Sequence, residues 1–328
     1  MTDNQIKMMQ LRNYQAMPLG AKITRTKHLI REWYEAHDGM VYVAFSGGKD
    51  STVLLDIVWQ EYPDVPAVFA NTGNELNSVI EFVKTYGEKI IWVDPKITFD
   101  EIVNKYGYPV VSKDVSKKVH EAKTTKSTKL LDIRLNGYAS GVGKIPEKWK
   151  KLIDAPFGTT SKCCGILKGA PSSVYGRATG RKCFVGVMAD ESQLRRQSFI
   201  LYGCNAFGKK DPDSRPLIFW TEQDVLNYIE INNIKIAEAY GGIIRNRNNE
   251  LACSGQERTG CKLCLFGIHL EKGENRIQRL ARTEPETYRH AIEDLGYDKV
   301  MEYIGVEWRP YMKDIQMDMI DSNYEEPA

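Results

Sequence analysis

The chain has 328 residues, of which 42% are hydrophobic and 27% are charged, and its formal net charge is +2. These values are ordinary for a soluble globular protein. No apolar run approaches the roughly 18 residues of a membrane span, and the N-terminal segment MTDNQIKMMQLRNYQ lacks the apolar core of a secretory signal. We therefore expect a cytoplasmic protein without a membrane partner. Seven cysteines, an odd number, favour reduced thiols or metal ligands over a disulfide framework.

The first predicted element is a helical arm over residues 5–36, and a buried strand over 41–45 follows it. The strand enters the turn SGGKDS and then a helix over 51–61 with apolar residues at helical spacing. Glycines allow a tight turn and a close backbone approach, and the free amides of a helix start favour an anion. We therefore predict a phosphate site on this turn. It is not the common P-loop, because Val43 stands where that pattern needs glycine and Asp50 where it needs serine or threonine.

Strands and helices continue to alternate along the chain. The further predicted segments are a strand ending near Ala70, a helix over 75–86, a strand ending at Val93, a strand near 182–188, a short strand in RPLIFW, and a helix over 222–232 that Thr221 and Asp224 cap. Such alternation predicts an α/β fold with a doubly wound, mostly parallel sheet. Because ligands bind at the carboxyl ends of such strands, SGGKDS, NTGNE and ADES should line one crevice.

The stretch from Lys113 to Lys151 interrupts this alternation and is strongly basic. It holds ten lysines and Arg134 against four carboxylates, together with Tyr138 and Trp149. A basic stretch with aromatic residues is typical of a track for a nucleic-acid backbone. The alternative is a solvated helical face whose lysines serve solubility.

The domain boundaries follow from these patterns. We predict an N-terminal helical arm over 1–37, a nucleotide-binding α/β domain over 38–240 with a basic insertion at about 113–160, and a helical C-terminal lobe over 241–328 that contains a C-x-x-C motif.

Two close pairs of cysteines form a second candidate site. Cys163 and Cys164 are adjacent, and Cys261 and Cys264 form the C-x-x-C motif almost a hundred residues later. Four thiolates are what a cubane iron–sulfur cluster or a structural zinc ion requires. We predict an iron–sulfur cluster of the 4Fe-4S type, with Cys253 as an alternative ligand. Zinc, or buried cysteines without a metal, are the other interpretations. The cations expected to offset the thiolate charge are Lys168, Arg258 and Lys262.

Residues 38–270 resemble the phosphoadenosine phosphosulfate reductase superfamily, which is similar in fold to the PP-loop ATP pyrophosphatases. The resemblance is carried by SGGKDS, by the pair Cys163-Cys164 with Lys168 and Pro171, by GVMADESQLRR, and by PLIFWTEQDVLNYI. The C-x-x-C cysteines occupy the place of that family's downstream cluster cysteines. The resemblance implies an adenine nucleotide alpha hydrolase-like fold, with SGGKDS holding pyrophosphate and Asp50 helping to place Mg²⁺.

The resemblance also assigns roles to individual residues. The catalytic residues that it implies are Lys49, Asp50, Arg195 and Arg196. The nucleotide-binding residues that it implies are Ser46, Gly47, Gly48, Lys49, Asp50, Ser51, Asn71, Thr72, Gly73, Gly186, Glu191 and Ser192. Other interpretations are that the arginines form structural ion pairs and that Glu191 is a carboxylate favoured at a helix start. Asn71 departs from the family, which more often has aspartate there.

Two further departures bear on function. No cysteine follows Cys264, whereas sulfonucleotide reductases carry a nucleophilic cysteine near their C-terminus, and SGGKDS is the full ATP-type loop. We therefore favour a PP-loop ATP pyrophosphatase that adenylylates a substrate, in our interpretation a nucleic acid, for iron–sulfur-assisted sulfur transfer, as in DNA phosphorothioation systems or tRNA thiolases. The alternative is a phosphoadenosine phosphosulfate or adenylylsulfate reductase-like enzyme whose nucleophile is Cys253, Cys204 or a residue of another chain. A third hypothesis is a non-catalytic cluster-bearing sensor.

The expected ligands and partners follow from the favoured function. They are ATP or a sulfonucleotide, Mg²⁺, the iron–sulfur cluster, a nucleic acid, and a cysteine desulfurase or other sulfur donor. The sequence leaves open which nucleic acid is used, which cluster type forms, and whether the chain is a homodimer.

Overall fold

The computed structural model describes residues 1–310, and these residues form two compact units. Unit 1 joins Met1–Lys96 to Ile166–Gly260, and unit 2 joins Ile97–Gly165 to the segment that begins at Cys261. The α-helices are α1 (Asp3–Gln15), α2 (Leu19–Ala36), α3 (Lys49–Glu61), α4 (Asn77–Lys84), α5 (Phe99–Tyr106), α6 (Lys113–Thr124), α7 (Thr128–Leu135), α8 (Ala170–Thr179), α9 (Gln193–Tyr202), α10 (Glu222–Ile231), α11 (Arg276–Thr283), α12 (Pro285–Arg289) and α13 (Tyr297–Ile304). The strands are β1 (Val41–Phe45), β2 (Ala67–Ala70), β3 (Ile90–Val93), β4 (Val110–Val111), β5 (Lys182–Val185), β6 (Asp213–Ser214), β7 (Ile243–Arg245), β8 (Leu251–Cys253) and β9 (Leu265–Phe266).

Unit 1 is built on a five-stranded sheet in the order β3-β2-β1-β5-β6. All four neighbouring pairs are parallel, with Val43 opposite Ala67 and Val41 opposite Lys182. The chain passes from β1 to one side of the sheet through β2 and β3, and to the other side through β5. The loop after β1 therefore lies at the topological switch point, where open α/β sheets bind ligands. The predicted α/β fold class is confirmed.

The central strands form because most of their side chains are apolar and buried. Val41, Val43, Ala67 and Phe184 are fully buried, as expected of parallel strands with helices on both faces. The sequence predicted β1, β2, β3 and β5 close to their observed bounds.

The predicted N-terminal arm is two helices rather than one. Pro18 separates α1 from α2, because a proline has no N–H to continue a helix and is tolerated only near a helix start. Leu11 of α1 and Trp33 of α2 are buried, and both helices belong to unit 1.

The strand predicted in RPLIFW was wrong. Residues Leu217 to Trp220 form turns, in which Ile218 N–H donates to Arg215 O (3.0 Å) and Trp220 N–H donates to Leu217 O (2.9 Å), and the short strand is β6 instead. All four side chains from 217 to 220 are fully buried. A short run that is apolar at every position has no periodicity to separate a strand from a buried turn, which explains the error.

Unit 2 contains the basic stretch and the C-x-x-C segment. Its short strands β4 and β9 are parallel, with Val110 opposite Leu265, and Tyr108 makes a further parallel bridge to Thr159. The predicted basic insertion therefore clusters with the C-terminal segment rather than with the nucleotide-binding sheet. The predicted domain boundaries stay a prediction, and part of the predicted C-terminal lobe, residues 311–328, lies outside the described residues. Within residues 1–310, no helix is both long and apolar enough to cross a membrane.

A buried ion pair fixes the start of α10 against α2. Lys22 is 2% exposed, and its Nζ lies 2.5 Å from Oδ2 of Asp224. The same carboxylate accepts hydrogen bonds from the backbone N–H and the hydroxyl of Thr221, which completes the predicted capping box. The position of α10 matters because its first residue, Glu222, contacts the loop after β1.

Replacing Lys22 should therefore destabilise unit 1. In Lys22→Met the buried Asp224 carboxylate loses its cation, and we expect the free energy of unfolding to fall by about 3 kcal/mol in urea titrations. The matched control is Lys27→Met on the same helix, because Lys27 pairs with Glu61 at a more exposed site (3.1 Å) and should cost less than about 1 kcal/mol. Equal losses in the two variants would contradict this account.

Candidate functional site

The loop after β1 turns tightly against α4. Gly47 has a φ of +69°, and a Cβ at this position would lie 2.7 Å from Val79 Cγ1 and 2.8 Å from Val83 Cγ2. Ser46 and Ser51 close the turn through a hydroxyl pair at 2.9 Å, and Ser51 Oγ donates to Gly48 O (2.8 Å). The predicted strand, glycine turn and helix are confirmed, with α3 beginning two residues earlier than predicted.

Lys49 is a buried cation at the start of α3. Its side chain is 2% exposed, and Nζ lies 3.0 Å from Oε1 of Glu222 and donates to Glu257 O at 2.9 Å. Burial alone would lower the pKa of Lys49, but the Asp50 and Glu222 carboxylates outweigh it, so the pKa is raised. Lys49 is therefore a fixed positive charge at the helix N-terminus, where a phosphate would be stabilised.

Asp50 has an unsatisfied oxygen in the same loop. Its Oδ1 is shielded from solvent and accepts no hydrogen bond among residues 1–310, and Lys49 Nζ lies 4.0 Å away. Burial raises the pKa of Asp50, and Glu222 adds to this while Lys49 opposes it. A buried carboxylate oxygen without a donor suits the oxygen-preferring Mg²⁺ ion predicted here. Asp50 therefore fits the role of a magnesium ligand, which remains a prediction.

The segment after β5 brings further charges to this loop. A Cβ on Gly186 would lie 3.0 Å from Asp50 O and from Ser51 Cα, so glycine allows β5 to approach α3. Glu191 forms an ion pair with Arg195 and lies 3.9 Å from Arg258 Nη1.

Arg195 belongs to the loop's electrostatic environment. The pKa of Arg195 is lowered by burial and by Arg258, while the charge of Asp50 acts in the opposite direction. Arg195 therefore lies within the electrostatic field of the loop from Ser46 to Ser51, which we call the phosphate loop after its predicted ligand, and its catalytic role stays a prediction.

Two other residues of this segment have structural partners. Ser192 caps α9 by accepting the N–H of Arg195 at 3.3 Å. Arg196 forms an ion pair with Asp190 (3.7 Å), which also accepts a hydrogen bond from Gln15 of α1. The structural interpretation thus accounts for both residues, and their proposed nucleotide contacts remain predictions.

The predicted residues after β2 form a compact polar turn. Asn71 Nδ2 donates to Asp94 Oδ1 (3.0 Å), and the Thr72 hydroxyl donates to the buried Glu75 carboxylate at 2.7 Å. Gly73 has a φ of +70° with open space around it. Lys168 Nζ lies 3.5 Å from Oε1 of Glu75, and its predicted role beside the thiolates stays a prediction.

Backbone pairing within unit 2 explains how distant cysteines meet. Tyr108 N–H donates to Gly158 O and Thr160 N–H donates to Tyr108 O, both at 2.9 Å, so the segment leading to Cys163 runs beside residue 108. The residues just after Tyr108, Val110 and Val111 of β4, pair with β9, which begins directly after Cys264.

The four predicted ligand cysteines influence one another. The pKa of Cys163 is raised far above its usual range by a hydrogen bond with the Cys164 thiol, by burial, and by Cys264. Burial raises the pKa of Cys264 to about 11, with Cys261 and Cys164 adding to it. Even so, no three His, Cys, Asp or Glu side chains of residues 1–310 stand in an arrangement that could hold a metal ion. The donor set has the number and chemistry for a cluster, and its ligation remains a prediction.

Arg276 is a cation that acts on one of these thiols. Its Nη1 donates to Cys264 O at 3.1 Å, and its charge lowers the pKa of Cys264 against the effect of burial. The predicted Lys262 instead pairs with Glu284 (2.9 Å). Tyr297, which the sequence did not indicate, is buried and donates to Leu263 O inside the C-x-x-C motif.

The three remaining cysteines belong to unit 1. Burial raises the pKa values of Cys183 and Cys204 to about 11, consistent with buried structural thiols. Burial also raises the pKa of Cys253, but there the charges of Lys49, Glu222 and Asp50 contribute. Cys253 therefore lies in the electrostatic field of the phosphate loop.

The basic stretch is partly neutralised by its own carboxylates. Lys118 pairs with Asp114 (2.6 Å) and Arg134 pairs with Glu121 (2.7 Å). Trp149 is buried and packs edge-on against His269, so it is a core residue, whereas Tyr138 is 56% exposed. The lysines that remain exposed are Lys113, Lys117, Lys123, Lys126, Lys129, Lys144, Lys148 and Lys151.

Sequence reasoning missed four contributors to the phosphate loop: Glu222, Tyr240, Glu257 and Thr259. Tyr240 Oη accepts the N–H of Lys49 at 3.1 Å, and it pairs with Thr259 Oγ1 at 2.8 Å. These residues lie about 170 to 210 positions after the loop, and no local pattern in the sequence connects them to it.

Comparison with known proteins supports the nucleotide-binding character of unit 1. A family model of the phosphoadenosine phosphosulfate reductase domain matches residues 40–245, more than half of the chain. The chain belongs to this family. It is 25% identical to the adenosine 5'-phosphosulfate reductase of Staphylococcus haemolyticus, in an alignment that covers 64% of this chain and 70% of that protein. It is 23% identical to the adenosine 5'-phosphosulfate reductase of Lysinibacillus sphaericus, in an alignment that covers 72% of this chain and 78% of that protein. A phosphoadenylyl-sulfate reductase structure from Candida auris aligns with 65% of the chain and 82% of its own length, at 14% identity and a TM-score of 0.37.

Family membership fixes the enzyme class at a coarse level. The family takes in named sulfonucleotide reductases, so this chain belongs to a sulfonucleotide reductase-like enzyme family. The predicted superfamily is thereby confirmed.

The tight fit of Gly47 predicts a strong effect of a single methyl group. Gly47→Ala adds a Cβ to a left-handed residue that faces two valines, and we expect a loss of about 3 kcal/mol in unfolding free energy. Gly73→Ala is the control, because it has the same backbone strain without close neighbours and should cost about 1 kcal/mol. Thermal and urea unfolding measure both losses, and a Gly47 variant as stable as the Gly73 variant would contradict the packing seen here.

Proposed function

We propose that this protein is a PP-loop ATP pyrophosphatase that adenylylates an acceptor and supports sulfur transfer to it. One observation carries the proposal. The complete SGGKDS turn lies at the switch point of the sheet, with a buried Lys49 and an unsatisfied Asp50 oxygen on the same helix start. That arrangement suits a pyrophosphate and its magnesium ion.

The cleavage step follows from where charge develops. An acceptor oxygen attacks the α-phosphorus of ATP, a new P–O bond forms, and the bond to the α–β bridging oxygen breaks. Pyrophosphate leaves with the electron pair, and the acceptor's proton passes to solvent. Lys49 and the start of α3 stabilise the charge on the leaving group, and Arg195 supplies a further positive charge beside the loop. A magnesium ion on Asp50 would neutralise phosphate charge when bound.

The second half of the proposal concerns the cysteines of unit 2. Cys163, Cys164, Cys261 and Cys264 would hold an iron–sulfur cluster, which supplies a site for binding sulfur when present. A sulfide-level sulfur nucleophile then attacks the acceptor atom that carries the adenylylated oxygen. A bond from that atom to sulfur forms, its bond to the oxygen breaks, and AMP leaves with the oxygen and the electron pair. The exposed lysines from Lys113 to Lys151 supply a surface for a nucleic-acid acceptor, and a desulfurase or other donor would provide the sulfur.

A sulfonucleotide reductase-like reaction is the second candidate, and one observation favours it. Cys253 lies in the field of Lys49, Glu222 and Asp50, so a thiol is available beside the proposed phosphate site. Of the two cysteines considered from sequence, Cys204 is buried and its pKa is raised to about 11, which makes it the poorer nucleophile.

The first test separates these two reactions. Anaerobically purified protein is incubated with α-labelled ATP and Mg²⁺, with and without DNA or tRNA, and AMP and pyrophosphate are measured. A parallel reaction with phosphoadenosine phosphosulfate and a thiol reductant is assayed for sulfite. We expect AMP release that nucleic acid stimulates and that Asp50→Asn lowers about a hundredfold.

The control lies on the same helix. Asp56→Asn alters a carboxylate of α3 that binds the hydroxyl of Tyr228 (2.6 Å) rather than the loop, so it should leave AMP release unchanged. Sulfite without AMP, lost in Cys253→Ser, would instead establish the reductase-like reaction. If neither AMP nor sulfite forms, both enzymatic proposals fail and the non-catalytic sensor hypothesis is the one that remains.

The cluster proposal predicts a specific dependence of iron content on cysteines. Cys164→Ser and Cys261→Ser should each lower the iron and acid-labile sulfide of anaerobically purified protein by more than half. Cys183→Ser and Cys204→Ser, which alter unit 1 thiols, should retain both. Stoichiometric zinc without sulfide would replace the cluster with a structural zinc site.

A further inference from the structure

The segment from residue 238 to residue 259 covers the phosphate loop, and we call it the strap. It contributes three oxygen atoms to the loop: the Tyr240 hydroxyl, the Glu257 carbonyl and the Thr259 hydroxyl. All of the strap belongs to unit 1, as does the loop.

The strap occupies the donors that an anion would use. Tyr240 Oη accepts the backbone N–H of Lys49 (3.1 Å), and Glu257 O accepts a hydrogen bond from Nζ of the same residue (2.9 Å). A bound phosphate needs both of these groups, because the helix-start amide and the ammonium are the positive ends of the site. In this structure, oxygens of the protein take the place of phosphate oxygens on Lys49.

The strap also fills the space above the loop. A Cβ on Gly48 would lie 3.3 Å from Tyr240 Oη and 3.8 Å from Thr259 Oγ1, so these two hydroxyls sit directly on the glycine backbone. That is the face that a glycine turn leaves open for a ligand. Phosphate and the two hydroxyls therefore cannot occupy it together.

The strap is internally bonded near its two ends. Gly255 N–H donates to Tyr240 O (2.9 Å) and Gln256 N–H donates to Ala239 O (2.8 Å), so its two ends are tied together. The contact is tight, because a Cβ on Gly255 would lie 2.5 Å from Ala239 O.

The strap's anchor lies outside the loop. The hairpin of β7 and β8 is held by Gln223 of α10, which makes two hydrogen bonds with the backbone of Leu251 (2.8 and 2.9 Å). The contacts to Lys49 are thus separate from the anchor, and they can be exchanged for a ligand while the anchor stays in place.

We propose that the strap is a built-in competitor of nucleotide, which closes the phosphate loop until phosphate oxygens displace Tyr240 and Glu257 from Lys49. The proposal rests on the proposed function, since it regulates the same site. It also accounts for the near-complete burial of Lys49, because the strap supplies compensating oxygens.

Removing one hydroxyl tests the competition. In Tyr240→Phe the ring remains and the oxygen on the Lys49 N–H is lost, so nucleotide no longer has to break that hydrogen bond. We expect the Kd for Mg-ATP, measured by calorimetry on the full chain, to fall about fivefold. Tyr228→Phe is the control, because this buried tyrosine donates to Asp56 and does not touch the loop, and its Kd should match that of the unaltered protein.

Hydrogen exchange gives a second readout that needs no variant. Saturating Mg-ATP should speed amide exchange in peptides from 238–259 and slow it in peptides that cover 46–51. An unchanged or weaker affinity of Tyr240→Phe, or a strap that becomes more protected with ATP, would overturn the competitor role while leaving nucleotide binding intact. If the unaltered protein and both variants fail to bind Mg-ATP, the proposed function itself is wrong and the competitor role is lost with it.

Discussion

The candidate site is arranged around the buried positive charge of Lys49 and the groups that neutralise it. Lys49 is almost completely removed from water, and a buried charge is tolerated only when it is paired and hydrogen-bonded. Its compensation comes from the first residue of α10, from the strap, and from Asp50 beside it. Because these groups come from distant parts of unit 1, the charge of Lys49 ties the phosphate loop to α10 and the strap. An incoming phosphate would enter this set of interactions as a replacement for existing oxygens.

The sheet places this charge where it can act on a ligand. Parallel pairing of β1 with β2 and β5 brings three loops to one edge, and glycines at the crowded points let the backbones approach. Unit 2 uses the same principle on a smaller scale, because parallel pairing of β4 with β9 joins the surroundings of two cysteine pairs that lie far apart in sequence. Each unit thus uses parallel strand pairing to collect chemical groups from remote segments.

Family membership indicates the fold and the enzyme class, whereas the residues of the loop bear on which reaction takes place. Membership of the phosphoadenosine phosphosulfate reductase domain family fixes the fold and a sulfonucleotide reductase-like enzyme class. We propose that the choice between cleaving ATP and reducing a sulfonucleotide depends on individual groups, above all on Asp50, Lys49 and Cys253. The magnesium site, the cluster and the nucleic-acid surface remain proposals that rest on donor chemistry and exposed charge.

The sequence by itself determined the alternating α/β fold and the glycine turn between β1 and α3, because strand periodicity, glycine and helix-start chemistry are local properties. It misjudged RPLIFW, since a short segment that is apolar throughout carries no periodicity, and it took Trp149 for a surface aromatic residue. Only the tertiary structure decided which oxygens pair with the Lys49 ammonium and that Arg276 donates a hydrogen bond to Cys264 O while Lys262 pairs with Glu284. It also decided that the basic stretch and the C-x-x-C segment belong to the same compact unit. These interactions depend on long-range packing, because a buried charge pairs with the groups that lie near it in space. The spacing of residues along the sequence does not predict which groups those are.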